Sequence, residues 1–212
     1  MTIFKSLGFS LLVIPFFIAP SHAEKSCNYT SYKWNVNLRS AVELERVSHP
    51  YSELEPHEID SATKCTVCEE DQEWITLAEL PPFRVCKVLA PNIKKVLSNA
   101  YNSGFTFNKV VGYRVGMTRG EVDENGNRTQ FSNHSFGIAI DINEDQNGLY
   151  DHCLEFSGNC RLRKGGHWRP GTNGTLTNKE KVVQQMKERG LKWGGEIKGQ
   201  QKDFMHFSPS GY

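Results

Sequence analysis

Hydrophobic positions are spread unevenly along the chain. Residues 24–86 are polar and acidic-leaning, with Glu53, Glu55, Glu58, Asp60, Glu69, Glu70, Asp71 and Glu73 prominent and little periodicity. This stretch reads as irregular, with one strand at residues 74–77. Residues 91–103 place Ile93, Val96, Leu97, Ala100 and Tyr101 on one helical face, with Pro91 suited to the first turn and Gly104 to the stop. Residues 105–116 read as a strand, carried by Thr106, Val110, Val111 and Tyr113, and residues 123–126 as a turn. In residues 136–143, Phe136, Ile138, Ile140 and Ile142 alternate with Gly137, Ala139, Asp141 and Asn143. That period of two predicts a strand whose small, polar face carries Asp141. Residues 177–189 form the clearest helix: Thr177 and Glu180 have capping-box spacing, Val182, Val183 and Met186 share a face, and Gly190 follows as a stop. A short strand at residues 204–208 ends the pattern. Helices and strands are interspersed without βαβ repeats, which predicts an α+β fold.

Two features place the chain in an exported compartment. Lys5, the apolar run at residues 7–20 and the small-x-small triplet Ser21-His22-Ala23 form a secretory signal peptide ending before Glu24. The apolar run is short for a membrane span, and no basic stop-transfer cluster follows, so no transmembrane anchor is expected. Cys27, Cys65, Cys68, Cys86, Cys153 and Cys160 all follow the cleavage point. An even count in an oxidising compartment reads as disulfides. Cys153 and Cys160 pair locally, and the other four have three possible pairings. Cys65-x-x-Cys68 also has the spacing of a redox pair or a zinc half-site, although no second CxxC accompanies it.

Composition excludes some function classes. The 212 residues carry 25 Lys and Arg against 24 Asp and Glu, so no basic excess points to nucleic acid. Four Trp, seven Tyr and twelve Phe supply a core and argue against disorder. The length suits one catalytic-sized domain. The expected division is a signal peptide at 1–23, a cysteine-containing N-terminal region at 24–86 packed on the rest, and a catalytic domain at 87–212. A monomer is expected.

Three separated pieces carry candidate chemistry: Gly112-Tyr113-Arg114; Ser132, His134, Gly137, Ala139 and Asp141; and Trp193-Gly-Gly followed by Asp203-x-x-His206-Phe207. Two imidazoles and one carboxylate, from His134, His206 and Asp141, match the three N/O ligands of a catalytic zinc with one open position. Asp203, three residues before His206, is placed to act as general base on a water that the metal acidifies. Arg114 can hold a substrate carboxylate or a developing oxyanion. One condition applies. On a single flat strand, Asp203 and His206 point to opposite faces, so Asp203 must lie at a strand entrance or on a bend.

The SxHxxGxAxD string at 132–141 and the WGG…DxxHF string at 193–207 closely resemble the zinc D-alanyl-D-alanine carboxypeptidase family. That family includes D-Ala-D-Ala dipeptidases and the L-alanyl-D-glutamate peptidases of endolysins, and the second string looks most like the endolysin branch. The resemblance spans residues 91–208 apart from an insertion at 153–174. It implies a Hedgehog/DD-peptidase-like fold, with a small antiparallel sheet, flanking helices and a disulfide-stapled N-terminal region. It also implies zinc held by His134, Asp141 and His206, Asp203 as base, Arg114 in the family's arginine position, and Ser132 as the leading serine. Ser132 and Trp193 are expected to touch substrate, with Trp193 as a core or cleft-wall aromatic. Phe204 stands where many members carry a second histidine, and Ile197 where an aromatic is usual.

The implied function is hydrolysis of peptidoglycan stem peptides in the periplasm or outside the cell, as a D-Ala-D-Ala carboxypeptidase or an L-Ala-D-Glu endopeptidase. The alternatives are a non-catalytic zinc-stabilised module that binds peptidoglycan or protein, and a metallopeptidase acting on protein. Asp203 favours an enzyme, because a binder needs no base beside an open metal position. His49, His57, His152 and His167 lack partner spacing. Asn143, Asp145, Asn147, Gly148 and Asp151 resemble the start of a calcium loop, but Leu154 stands at the bidentate position and a polar surface loop is the better reading. Asn133-His-Ser135 is a formal glycosylation sequon, which a catalytic site there would require to be unmodified.

Overall fold

The structure, a computed structural model, describes residues 24–77 and 80–212. The expected signal peptide lies outside the described residues. The N-terminal region, expected to be irregular, contains the two longest described strands, β1 (Ser26–Asn35) and β2 (Ser40–Pro50), paired as an antiparallel hairpin. At its tip the Asn35 side chain accepts hydrogen bonds from the backbone of Asn37 and Leu38, closing the turn. Cys27 and Tyr29 point inward from β1. β2 is largely exposed, which is why its apolar contrast is weak. A second hairpin joins β3 (Gln72–Ile75) to β4 (Phe83–Cys86). β3 begins two residues earlier than the sequence pattern suggested.

Helix α1 (Ala90–Asn102) follows, with Pro91 in its first turn and Ile93, Val96, Leu97 and Ala100 buried. Tyr101, expected on that face, is half exposed and lies on its edge. The strand expected at 105–116 is reduced to β5 (Val110–Val111). β6 (Met117–Val122) and β7 (Arg128–Phe131) form a hairpin around the expected turn. The strand expected over 136–143 is also shortened, to β8 (Ile140–Ile142), because a helical turn, Asn133–Phe136, precedes it and ends at Gly137 with φ 65°. A Cβ at Gly137 would sit 2.5 Å from the Cys86 amide nitrogen, so the backbone of β4 is what requires glycine there.

β9 (Leu149–Asp151) and β10 (Arg161–Lys164) come next. Helix α2 (Lys181–Glu188) is shorter than expected. Glu180 is its N-cap, and the capping box read at Thr177 is absent, with the Thr177 hydroxyl accepting from Lys179 N instead. The chain ends with β11 (Lys192–Trp193), β12 (Gln201–Asp203) and β13 (His206–Ser208).

These strands form four small sheets in the orders β2-β1-β6-β7, β3-β4, β10-β9-β12 and β11-β13-β8-β5. The described pairings are antiparallel except for one parallel contact of β1 with β6. The architecture is α+β, as expected. Because β1 and β6 share a sheet, the N-terminal region and the remainder interlock across residue 86. α1 and α2 pack together over the sheet that holds β8 and β13, around Ile93, Leu97, Ile140, Val183, Met186 and Phe207. A second cluster joins Cys27, Tyr29, Val67 and Val115.

Three disulfides staple the chain: Cys27–Cys68, Cys65–Cys86 and Cys153–Cys160. Cys65 and Cys68 pair with different partners, which removes the redox and zinc readings of that CxxC. The residues resembling a calcium loop are not a polar surface loop. Asn143 and Asn147 are buried, and both donate to the Gly174 carbonyl while Asn147 also accepts from Leu176 N. Asp151 is engaged with Arg161 and Arg163. Side chains committed in this way hold the insertion against the core.

Candidate active site

β8 lies between β13 and β5, and its Asp141 is directly opposite His206 on one side and Val111 on the other. Cross-strand partners share a face, so Asp141 and His206 point the same way. His134 reaches the same spot from the helical turn before β8, held there by the Arg114 amide donating to its carbonyl. All three residues are at most 5% exposed. His134 Nε2 is 3.1 Å and His206 Nδ1 2.9 Å from the same oxygen, Asp141 Oδ1. Outside the disulfide-bonded Cys27, which has no thiolate to offer His49 and Glu58, this is the one described cluster of potential metal ligands.

The donor chemistry fits a cation. His134 Nδ1 lies 2.8 Å from the Gly112 carbonyl, which only accepts, so Nδ1 carries the proton. The Nε2 lone pair then faces a carboxylate oxygen, and two acceptors at that distance repel unless a positive charge sits between them. Two neutral imidazoles and one carboxylate are a three-ligand set of the kind zinc takes in catalytic sites. Burial lowers the His134 pKa. Burial also opposes ionisation of Asp141, but the two imidazoles outweigh it and hold the carboxyl well below its usual range. His206 is pushed down by burial and more strongly up by Asp141, so its pKa is raised.

Asp203 meets the condition set by strand parity. It is the last residue of β12, which belongs to a different sheet, and the chain turns at 204–205 before entering β13. A Cβ at Gly194 would stand 2.3 Å from the Asp203 carbonyl oxygen, so the first glycine of WGG is what admits this strand end. Asp203 Oδ1 is shut off from water and has no hydrogen-bond partner. Burial raises this carboxyl to about 6; His206 pulls it down and Asp141 pushes it up. An unpaired, desolvated carboxylate beside a ligand set has the properties of a general base.

Arg114 is half exposed, with one nitrogen 3.3 Å from Asp141 Oδ2 and another 3.4 Å from the Tyr32 hydroxyl. With Ser132, His134, Asp141, Asp203 and His206 it lines a single cleft of about 580 Å³. Trp193 was expected to touch substrate. It does not line this cleft: its ring is buried, and its N–H donates to the Phe204 carbonyl at 2.8 Å. It braces the turn between Asp203 and His206. Phe204 stacks on Trp168 with centroids 3.9 Å apart, so the inserted segment covers that turn from outside. His167 and His152 are exposed and His57 stacks on Phe131, while His49 binds Glu58. Asn133 of the sequon donates to Ser210 Oγ.

Sequence reasoning missed Tyr32 and Trp34, which line the cleft from β1, and Arg163 and Lys164, which line it from β10. The available signal was slight: two aromatics spaced two apart share one face of a strand.

Residues 125–209, less than half of the chain, match a family model described as D-alanyl-D-alanine carboxypeptidase. Over that segment the chain is similar to the D-alanyl-D-alanine carboxypeptidase family. The match bears out the resemblance read from the two motifs, and it contains His134, Asp141, Asp203 and His206 while leaving out Arg114 and the N-terminal hairpin. No curated protein and no solved structure matches the chain.

Proposed function

We propose that this protein is an exported zinc peptidase of the Hedgehog/DD-peptidase fold that hydrolyses peptidoglycan stem peptides at a D-Ala-D-Ala or L-Ala-D-Glu bond. The observation that carries the reading is the convergence of His134, Asp141, His206 and the unpartnered Asp203 carboxylate in one cleft within the family-matched segment. His134 Nε2, His206 Nδ1 and an Asp141 oxygen would hold the metal. When bound there, zinc supplies Lewis acidity, lowering the pKa of a water and polarising a peptide carbonyl. Asp203 accepts the proton of the attacking water and passes it to the leaving amine. Arg114, steadied by Asp141 and Tyr32, offers its remaining N–H groups to a substrate carboxylate or to the oxyanion. Three disulfides are consistent with export, and no described helix is long and apolar enough to cross a membrane.

The test is mass spectrometry of purified muropeptides incubated with zinc-loaded wild type and with Asp203→Ala. Loss of a terminal alanine, or release of an L-Ala-terminated fragment, that disappears in the variant supports the reading and identifies the bond. Absence of cleavage by folded, metal-replete wild type on several wall types contradicts it.

A further inference from the structure

The cleft extends beyond the residues that carry the chemistry. Its lining includes Tyr32 and Trp34 of β1 and Arg163 and Lys164 of β10, which belong to two sheets other than the one holding Asp141 and His206. Tyr32 is built into place. Its ring lies where a Cβ on Gly116 would be, 2.4 Å from the nearest ring atom, and its hydroxyl reaches Arg114. Trp34, two residues along the same face, is 37% exposed, which leaves a large aromatic surface open at the cleft.

The charge of the lining is one-sided. Arg114, Arg119, Arg163 and Lys164 stand against two side-chain carboxylates, Asp141 and Asp203, both of which belong to the chemical site itself, while Arg119 donates to the Tyr212 main-chain oxygen. The nearby acids only partly offset the β10 cations: Arg163 lies 3.2 Å from Asp151 and Lys164 3.5 Å from Glu144, but each acid serves other cations as well. Asp151 is shared by Arg161, Arg163 and His152, and Glu144 by Lys109 and Lys164. The chain as a whole has a formal charge of only +1, so this excess is local. Cations grouped in a partly enclosed cleft focus potential on an anionic ligand.

Resting on the peptidase reading above, we infer that Arg163 and Lys164 select peptides carrying a free carboxylate in addition to the one at the chain terminus, and that Tyr32 and Trp34 form the aromatic surface against which the peptide backbone lies. The N-terminal hairpin and the inserted segment, both outside the two sequence motifs, are thereby specificity elements and not merely stabilising additions.

The experiment measures equilibrium binding to the full chain carrying Asp203→Asn, which separates recognition from turnover. The probe is a synthetic pentapeptide, L-Ala-γ-D-Glu-L-Lys-D-Ala-D-Ala, with the glutamate α-carboxylate either free or amidated. At low salt the free form is expected to bind about tenfold more tightly, and added Arg163→Ala/Lys164→Ala should bring the two forms within about twofold. Raising the salt on the parent protein should narrow the same ratio without any substitution. Trp34→Ala should weaken both forms several-fold and leave their ratio intact. Equal affinity for the two forms in the parent, a ratio untouched by the double substitution, an unaffected Trp34→Ala protein, or no binding of either peptide would each overturn the inference. Carboxylate-selective binding with no muropeptide cleavage by wild type would defeat the peptidase reading alone. Cleavage without selectivity would defeat this inference alone.

Discussion

At the level of single residues, Asp203 concentrates the cost of the site. Its carboxyl is desolvated and unpaired, and its pKa of about 6 lies well above that of an unfolded aspartate. A carboxyl raised on folding contributes full stability below its unfolded pKa, and that contribution is lost as pH rises through the folded value. This one carboxyl therefore takes stability from the metal-free protein as pH rises from about 4 to about 6. Asp203→Asn should stabilise it by on the order of 3 kcal/mol at pH 7, with the gain vanishing near pH 4. Thermal melts of the metal-free proteins across that range check this, and the same substitution should abolish peptide hydrolysis. The ligands were legible in the sequence because motif spacing names residues. What spacing could not show was that Asp141 Oδ1 lies against both imidazoles, or that Gly112 sets the His134 tautomer, since those contacts join positions far apart in the chain.

At the scale of elements, the turn between β12 and β13 matters most. It converts the wrong strand parity into a usable one, and it is clamped by Trp193 beneath and Trp168 outside. Removing the outer clamp with Trp168→Ala should cost roughly 2–4 kcal/mol of stability and lower kcat more than it raises KM, because the turn sets where Asp203 sits. Denaturant unfolding and steady-state kinetics measure the two effects. Gly194→Ala should do more local harm, since its Cβ would press into the Asp203 backbone; a hydrolysis rate within twofold of wild type would show that the strand end has room to move. The helices were legible because their apolar faces are regular. β8 is shorter than its sequence pattern because the alternation continues through Gly137 and Ala139, where the backbone turns. The buried small residues on both sides of that alternation come from tight packing, not from a two-faced strand.

For the molecule as a whole, the N-terminal region is part of one continuous structure, tied to the rest by the β1–β6 pairing and, within the family-matched segment, by Gly137 against β4. Its hairpin was invisible in the hydrophobic pattern because β2 is mostly exposed and β1 buries only a few positions, so pairing and disulfides hold it more than core burial does. Loop-closure entropy ranks the staples by the chain they enclose. With separations of 41, 21 and 7 residues, the expected contributions are about 4, 3 and 2 kcal/mol. Paired Cys→Ser variants, compared by denaturant unfolding, should follow that order, with Cys27–Cys68 the most costly to lose. The claim on which the whole account turns is that His134, Asp141 and His206 bind zinc, and metal analysis of purified protein tests it most directly. About one zinc per wild-type chain is expected, with retention in Asp203→Asn and loss in folded His134→Ala and His206→Ala. A folded wild type that takes up no zinc, or unchanged stoichiometry in both histidine variants, would contradict it.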